Sequence, residues 1–252
     1  MLALIDADIV AFRCAASAEG ESEDWIARAR VNELMDQILF DTKADSWKAY
    51  LTGPNREDNF RRKIYPEYKA NRDKYPAPKW LASCKSYLVN DWQAEVTNGI
   101  EADDALGIEQ LGNNTDTIIC SIDKDLLQIP GQHYNFVKKI FENVTITQGW
   151  YNFYLQLLIG DTADNIKGCP GIGKKKAPMV LEGCETEQIM FTCVREVYND
   201  DDAMFLNGQL LYIWRKPNDV WNPERLIKQE VAPSSESIQL TQAATTRFTE
   251  LG

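Results

Sequence analysis

The sequence predicts an α/β fold with a mainly parallel central sheet flanked by helices. Two short runs, residues 2–5 and 117–122, are largely apolar and are each followed by an aspartate, as is typical of buried parallel strands. Residues 46–51 and 92–96 place apolar side chains at alternate positions, which is typical of half-buried strands. Helical periodicity fills the segments between them, and strands that alternate with helices indicate a parallel sheet.

The helices are predicted from the spacing of apolar residues. Ser22 can cap a helix over residues 23–40, and another helix is expected to begin near Glu101. Helical patterns then dominate from residue 150, over residues 150–159, from Lys174 onward, and over residues 186–198 and 203–214.

The chain is therefore expected to have three parts. We predict an α/β core over residues 1–150, a helical region over residues 151–231 and a loosely held tail over residues 232–252. No apolar run is long enough to cross a bilayer, and the first residues reach Asp6 too early for a secretion signal. We expect a cytoplasmic protein that does not bind membranes.

Composition restricts the chemistry. The chain has one histidine, His133, which excludes histidine-rich zinc sites and disfavours catalysis by a Ser-His or Cys-His pair. The six cysteines are scattered and are expected to be reduced thiols. The net charge is −11, yet residues 54–85 carry nine basic and four acidic residues, and residues 165–178 carry four lysines and no acid. These two basic segments could bind a polyanion, or they could simply be solvated faces.

Acidic residues recur where the predicted elements end. Asp6 and Asp8 follow the first strand, and Asp123 and Asp125 follow the strand at residues 117–122. The other acids of this kind lie at helix ends: Glu101, Asp103, Asp104, Asp161 and Asp164. Each fragment alone could be a helix cap, but the carboxyl ends of parallel strands meet at one edge of a sheet, so together they predict a shared cleft.

A cleft lined by so many carboxylates requires cations. Two unit charges about 4 Å apart repel by about 4 kcal/mol at an effective dielectric of about 20. Hard oxygen ligands favour Mg²⁺ or Mn²⁺ over Zn²⁺. Two such ions roughly 4 Å apart can clamp a phosphodiester and activate a water, so we predict a two-metal phosphodiesterase.

A glycine-lysine turn at residues 169–177 predicts a second contact with phosphate. Gly171 and Gly173 permit positive φ and close approach of the backbone, and Lys174, Lys175 and Lys176 follow directly. The pattern is typical of the hairpin in a helix–hairpin–helix. A P-loop is disfavoured because no strand precedes it and no Ser or Thr follows the lysine, whereas a tight turn with incidental lysines stays open.

Taken in order, these motifs resemble the 5′→3′ exonuclease and flap endonuclease family, which includes the nuclease domain of bacterial DNA polymerase I and bacteriophage 5′ nucleases. The resemblance covers residues 2–181 and is weaker to residue 215. The motifs are Leu4-Ile-Asp-Ala-Asp, Phe60-Arg-Arg, Tyr65-Pro-Glu-Tyr-Lys-Ala-Asn-Arg, Gly99-Ile-Glu-Ala-Asp-Asp, Ser121-Ile-Asp-Lys-Asp, Gly160-Asp-Thr-Ala-Asp-Asn and Gly168-Cys-Pro-Gly-Ile-Gly-Lys.

The resemblance implies a PIN-like 5′ nuclease fold with a short helical arch at residues 73–88 and a helix–hairpin–helix at residues 160–183. It implies two metal ions, with Asp104 at or just behind them as a catalytic residue. The implied ligands of the first ion are Asp6, Glu101, Asp103 and Asp123, and those of the second are Asp123, Asp125, Asp161 and Asp164.

The resemblance also implies how DNA would bind. Lys69 and Arg72, three residues apart on a helix, would contact the scissile phosphate, and a terminal base would stack on Tyr68. The hairpin would hold the duplex together with a K⁺ ion. The expected partner is DNA with 5′ ends, flaps or nicks, bound by a monomer, and the other implied DNA contacts are Arg61, Arg62, Gly171, Gly173, Lys174 and Lys175.

Three departures from the family pattern stand out. Thr52 occupies the end of the second strand, where the family usually has an aspartate that binds metal. The interval from Arg72 to Glu101 is short for an arch, and Pro178 falls early in the second hairpin helix, where it would kink that helix.

Two other functions remain alternatives. A haloacid-dehalogenase-type phosphatase would use Asp6 as a nucleophile, but it leaves Glu101, the basic segment and the hairpin without a role. A non-catalytic DNA-structure-binding protein would keep the basic segments with vestigial acids, and Thr52 would be the first sign of that loss.

Overall fold

A computed structural model describes residues 1–74, 76–112 and 116–230, without the side chains of Asp73, Gln229 and Glu230. The described chain forms two units. Among the described residues, the first unit contains residues within 1–66, 73–144 and 213–219, and the second contains residues 67–72, 145–212 and 220–230. The predicted tail at residues 232–252 lies outside the described residues.

A six-stranded sheet organises the first unit, in the order β3-β2-β1-β4-β5-β6. The first five strands are parallel and β6 is antiparallel to β5, so the prediction of a mainly parallel sheet is confirmed. The strands are β1 (Leu2–Asp6), β2 (Ser46–Leu51), β3 (Glu95–Val96), β4 (Thr117–Cys120), β5 (Gly131–Asn135) and β6 (Ile140–Val144).

Helices cover both faces of this sheet. They are α1 (Ala7–Ser17), α2 (Asp24–Thr42), α3 (Phe60–Ile64), α4 (Leu81–Asn90) and α5 (Ala102–Gly112), with 3-10 turns at Arg56–Asp58, Ala70–Lys74 and Lys124–Gln128. Ala3 and Ile5 of β1 face a core that includes residues of α1, α2 and α4, and Leu4 faces a second core with α5. The central strand β1 therefore buries both of its faces, as in doubly wound α/β folds.

The register of the sheet aligns the carboxyl ends that carry the predicted acids. Asp6, the last residue of β1, pairs with Tyr50 of β2, and Ile5 pairs with Cys120 of β4. The residues that follow these strands therefore leave the same edge of the sheet, which is the edge where ligands bind in open α/β folds.

The observed elements differ from the predicted ones in several places, of which three matter here. Helix α2 begins at Asp24 after Glu23, and no side chain caps it, so Ser22 is not its cap. The third strand is limited to Glu95–Val96, and Trp92 packs into the core instead. Strands β5 and β6 were not predicted, because polar residues interrupt their apolar pattern.

The predicted helical arch at residues 73–88 is only partly outside the core. Helix α4 begins at Leu81, and its Cys84 and Leu88 are fully buried in the core shared with α1 and α2. The prediction of an arch is therefore wrong from residue 81 onward, since a helix that packs against two others cannot span an opening.

The second unit is largely helical. Thr145 and Gln148 form a reciprocal capping box at the start of its first helix. In its interior Phe153 packs edge to face against Tyr212 and at a tilt against Trp221. Its elements are α6 (Ile146–Ile159), β7 (Gly160–Asp161), β8 (Ile166–Lys167), α7 (Ala177–Val180), α8 (Glu187–Tyr198), α9 (Asp201–Leu211) and α10 (Glu224–Glu230).

None of the helices in the described ranges combines the length and the apolar character that a membrane span requires.

Candidate active site

Asp6 and Asp123 are joined by a serine at the carboxyl edge of the sheet. Asp6 ends β1 and caps α1, where its Oδ1 accepts a hydrogen bond from the Ile9 amide at 3.1 Å. The Ser121 hydroxyl donates to Asp6 Oδ2 at 2.7 Å and accepts from the Asp123 amide at 3.0 Å. Ser121 therefore links the ends of two parallel strands and fixes both acids at one place.

Asp6 is a charged group in an unfavourable environment. Its side chain is buried, and this burial raises the pKa of its carboxyl group to about 7, although hydrogen bonds from Ser121 and Ile9 oppose the rise. The nearby carboxylates of Asp8 and Asp123 raise the pKa further. A bound cation would offset both the burial and the repulsion.

Thr52 stabilises the site structurally, although it supplies no carboxylate. Its amide donates to Asp8 Oδ2 at 2.8 Å, and its hydroxyl accepts from the Ala102 amide at 3.0 Å at the start of α5. Lys85 of α4 binds Asp8 Oδ1 at 2.6 Å. Lys85 belongs to the basic segment that could bind a polyanion, and here it is paired with Asp8 of the first unit.

Glu101 lies in the last turn before α5 and is nearly buried. Asn59 donates to Glu101 Oε1 at 3.2 Å, and the Arg61 guanidinium lies 4.0 Å from Glu101 Oε2. Asp103, on the first turn of α5, is half-buried. Both acids are therefore held at the start of a helix whose N-terminal end favours negative charge.

Asp104 and Arg61 form a buried ion pair. The two terminal nitrogens of the Arg61 guanidinium, Nη1 and Nη2, donate to the Asp104 carboxylate at 2.6 and 2.8 Å. The side chains of Arg61 and Asp104 are 3% and 0% exposed. The Glu101 and Trp214 amides also donate to that carboxylate. Asp104 is therefore saturated by donors, which makes it a supporting residue rather than a metal ligand.

The same ion pair corrects the prediction for Arg61, whose guanidinium is buried and cannot reach DNA. Its neighbour Arg62 binds Glu57 at 2.8 Å, and its side chain is largely covered. In this segment the basic side chains of Arg61 and Arg62 stabilise the protein itself.

Asp123 and Asp125 lie on the turn after β4. Asp123 caps the 3-10 turn by accepting from the Asp125 amide at 2.9 Å, and Lys124 approaches Asp125 at 3.6 Å. Both acids are half-buried. The Asp-x-Asp motif therefore caps a turn, which was the alternative to a metal site that the sequence left open. Asp123 is also close enough to Asp6 to act on its carboxyl group electrostatically.

The donor chemistry of these acids fits a hard divalent cation. The oxygen ligands come from carboxylates, and Asp6 is buried among like charges, which a divalent ion would relieve. Across the described part of the chain, however, no three His, Cys, Asp or Glu side chains are grouped closely enough to hold a metal ion.

The basic pair lies in the second unit, beside one of the predicted metal ligands. Arg72 Nη2 donates to Asp164 Oδ1, Lys69 Nζ lies 3.6 Å from Asp164 Oδ2, and the Tyr68 hydroxyl donates to Oδ2 at 3.2 Å. Lys69 and Arg72 therefore share the carboxylate of Asp164 as a partner, which the sequence did not predict.

Two predictions about this segment are wrong. Lys69 has a positive φ of 58° and precedes the 3-10 turn that contains Arg72, so the two residues do not share an α-helix. The ring of Tyr68 is buried, with the Lys69 ammonium 4.9 Å from its centroid, so this ring is not available to stack on a base.

Asp161, at the end of β7, is the other predicted ligand in the second unit. It is half-buried, and its Oδ1 accepts from the Ala163 amide at 2.7 Å. The turn that follows carries Asp164. Both acids therefore belong to one short loop between β7 and β8.

The glycine-lysine turn exposes its charges but lacks a long second helix. Gly171 has a φ of 77°, as predicted, whereas Gly173 is not among the residues with positive φ. Lys174 and Lys175 are exposed. Helix α7 has four residues with Pro178 in its first turn, so this proline begins the helix and does not kink it.

Gly160 and Gly168 are needed for a reason that the sequence motif did not reveal. The chain passes itself so closely here that a Cβ on Gly168 would lie 2.3 Å from the Ile159 carbonyl carbon. One on Gly160 would lie 2.3 Å from the Gly168 amide nitrogen. The close approach of Gly160 and Gly168 lies at the C-terminal end of α6. The loop of Asp161 and the turn of Gly171 both begin near this point.

Three supporting residues were missed by reasoning from sequence. Ser121 stood inside a motif that pointed to its aspartates, so its role could have been suspected. Asn59 and Lys85 reach the acids from loops and helices distant in sequence, and no local pattern marks such contacts.

Comparison with known proteins places these features in a known group. A family model described as the 5′-3′ exonuclease, N-terminal resolvase-like domain matches residues 1–152. A 5′-3′ exonuclease of Buchnera aphidicola subsp. Schizaphis graminum is 30% identical over 182 residues, which cover 65% of this chain and 60% of that protein. The flap endonuclease Xni of Shewanella sediminis is 29% identical over 138 residues, 49% of this chain and 54% of that protein.

Solved structures show the same fold. The T5 5′-exonuclease with bound divalent metal ions (zinc) superposes with a TM-score of 0.67 at 16% identity, over 97% of this chain and 98% of that one. The chain spans about 60% or less of the length of the two curated relatives described above.

Proposed function

The chain belongs to the 5′-3′ exonuclease family, and from that premise we propose that it is a divalent-metal-dependent nuclease that hydrolyses DNA phosphodiesters at 5′ ends or flaps. The observation that carries this proposal is the buried Asp6, joined to Asp123 through Ser121 at the ligand-binding edge of a parallel sheet. A plain DNA-binding protein would not require this arrangement of acids, and a phosphatase would leave Glu101, the basic segment and the lysine turn without a role.

In this proposal Asp6, Glu101, Asp103 and Asp123 would converge on one Mg²⁺ or Mn²⁺ ion when it binds, and Asp161 and Asp164 would be ligands of a second ion. The further assignment of Asp123 and Asp125 to the second ion stays a prediction. Bound divalent ions supply charge for the leaving oxygen and lower the pKa of a water molecule. The chain has a single histidine, which is consistent with chemistry that needs no protein nucleophile.

The remaining residues orient and neutralise the substrate. Lys69 and Arg72 contact the scissile phosphate, where two positive charges offset the charge that develops during hydrolysis. Ser121 and the pair of Asp104 with Arg61 act as positioning groups, because they hold the acids and the start of α5 in place. Thr52 and Lys85 orient Asp8 in the same way.

The exposed lysines of the second unit provide contact with duplex DNA. Lys174 and Lys175, with the backbone at Gly171 and Gly173, bind phosphates without reading the base sequence. A K⁺ ion at this turn is part of the same proposal. DNA with 5′ ends, flaps or nicks is the proposed partner, and the protein acts as a monomer.

The experiment that tests this function compares 5′-labelled flap, blunt and nicked substrates in Mg²⁺, Mn²⁺ and EDTA. We expect short labelled products in either metal and none in EDTA. Tight DNA binding without products in either metal would identify a binding protein instead. Phosphate release from small monoesters, through an aspartyl-phosphate at Asp6, would identify a phosphatase.

A further inference from the structure

Two roles compete for the carboxylate of Asp164: it is the counterion of Lys69 and Arg72, and it is a proposed metal ligand. Its Oδ1 accepts from Arg72, and its Oδ2 accepts from Tyr68 and faces Lys69 Nζ at 3.6 Å, so both oxygens are already engaged. The proposed function gives this carboxylate to a divalent ion. A carboxylate that binds an ion on these oxygens can no longer neutralise the two basic side chains.

The backbone around Asp164 would stay in place if its carboxylate changed partner. The Lys69 amide donates to the Asp164 carbonyl at 3.0 Å, and Asn71 donates to the Thr162 carbonyl at 2.7 Å. Arg72 Nε donates to the Ala163 carbonyl at 3.3 Å. The bonds of Lys69 and Asn71 hold residues 67–72 against the loop of Asp164 without the side chain of Asp164 or Arg72. The bond of Arg72 Nε would be given up when the guanidinium turns, so a rotation of side chains is enough for the exchange.

We propose that Asp164 is a partner-exchange residue. In the metal-free protein it neutralises Lys69 and Arg72, and when it takes a divalent cation it releases both of them to a DNA phosphate. This inference rests on the proposed function, which assigns Asp164 to the metal and the basic pair to DNA. It adds a coupling: since the exchange links the two binding events, metal and phosphate each strengthen the binding of the other.

The exposure of the pair makes this exchange feasible. The Arg72 side chain is 51% exposed, whereas that of Asp164 is 14% exposed. An ion pair with one solvated partner contributes little to stability, so the guanidinium can turn to a phosphate without loosening the fold. Asp161, on the same loop, binds the Ala163 amide and provides a matched comparison.

The test measures DNA affinity in EDTA by fluorescence anisotropy of a 5′-phosphorylated oligonucleotide with a duplex end. Asp164→Asn keeps the shape of the side chain but removes its charge. We expect this variant to bind about tenfold more tightly than wild type in EDTA, as two additional phosphate contacts would produce. The slope of log affinity against log salt should steepen by about 1 to 2.

Two variants determine whether this gain arises from the exchange. Asp161→Asn removes a charge from the same loop, and its affinity in EDTA should rise by no more than about twofold, the size of a general charge effect. Adding Arg72→Ala to Asp164→Asn should abolish most of the gain. Thermal melting of each variant verifies that the second unit remains folded.

The coupling itself is measured in Mg²⁺ at constant ionic strength, in an Asp6→Asn background that prevents cleavage. Mg²⁺ should strengthen DNA binding with Asp164 present and should have a smaller effect with Asp164→Asn. An unchanged or weaker affinity of Asp164→Asn in EDTA would overturn the proposal and make Asp164 a permanent counterion. Because the EDTA measurement requires no hydrolysis, it is independent of whether wild type cleaves DNA.

Discussion

At the scale of single residues, the site is built around charges that the fold does not favour on its own. Asp6 is 2% exposed, and burial is the largest cause of its raised pKa. Buried carboxylates of this kind are costly unless they are paired or bind an ion. Active sites commonly lower stability in this way in return for function.

Asp6→Asn should therefore stabilise the metal-free protein while abolishing cleavage. The amide can still accept from Ile9, and its NH₂ can donate to the Ser121 hydroxyl in place of the present bond. We expect the free energy of unfolding at pH 8 in EDTA to rise by roughly 2 kcal/mol. Urea denaturation measures this change, and a loss of stability would show that Asp6 is a structural acid.

The pair of Arg61 and Asp104 should behave as a structural unit. Removing one member leaves an uncompensated buried charge, so Arg61→Met and Asp104→Asn should each cost roughly 3 to 5 kcal/mol in unfolding free energy. The double variant should cost less than the sum of the two. A double-mutant cycle by urea denaturation measures the coupling, and additive costs would mean that the two side chains act separately.

At the scale of secondary-structure elements, β5 carries a titratable group that should make stability depend on pH. His133 is buried, its Nε2 donates to the Ile129 carbonyl at 2.7 Å, and burial lowers its pKa below the ordinary value of 6.5. The unfolded chain then binds the proton more readily than the folded chain. The stability that the neutral His133 contributes is therefore fully present above about pH 6.5 and is lost as the pH decreases below that value.

The corresponding variant is His133→Asn, which removes the titration. Below pH 6.5 the wild type should lose stability by up to about 1.4 kcal/mol per pH unit more than the variant. Thermal or urea unfolding between pH 7.5 and 5.5 measures the difference. Parallel curves for the two proteins would indicate that the fold tolerates the charged imidazole.

The lysine turn between β8 and α7 makes the third prediction at this scale. Lys174→Ala and Lys175→Ala should each weaken duplex binding and reduce the salt slope of log affinity by about 1. Lys228→Ala on α10, an exposed lysine paired with Glu224, is the matched control and should leave the slope unchanged. An unchanged slope for the turn variants would separate this turn from DNA binding.

Sequence alone predicted those elements whose patterns are local and strong. The buried runs of β1 and β4 and the apolar face of α2 needed no knowledge of their neighbours. Strands β5 and β6 were missed because their stability comes from pairing with β4 and with each other. The four-residue α7 was predicted to be longer, since lysines are good helix formers but form a turn here.

In the candidate site, too, local signals were predictable from sequence and contacts between distant residues were not. Motifs revealed which acids and lysines matter, because a motif is a local signal. They could not reveal partners: Arg61 with Asp104 and Lys85 with Asp8 join residues distant in sequence. The corrections for Arg61 and Lys85 concern this kind of partnership, which tertiary packing decides.

At the scale of the whole molecule, the acidic overall charge is compatible with a polyanionic substrate. The net charge is −11, but several of the acids already have basic or hydrogen-bonding partners, and the exposed lysines of the turn lie in one short segment. Long-range repulsion from the remaining acids is screened beyond about 10 Å at 0.1 M salt. Local contacts therefore decide binding.

The proposed metal site is tested most directly by cleavage of a 5′-labelled DNA flap in Mg²⁺ by wild type and by Asp123→Asn, with DNA affinity measured on both proteins. We expect cleavage by wild type, a decrease of at least about 100-fold for the variant, and affinities within about threefold of each other. Equal cleavage by the two proteins, or none by wild type despite tight binding, would contradict this proposal.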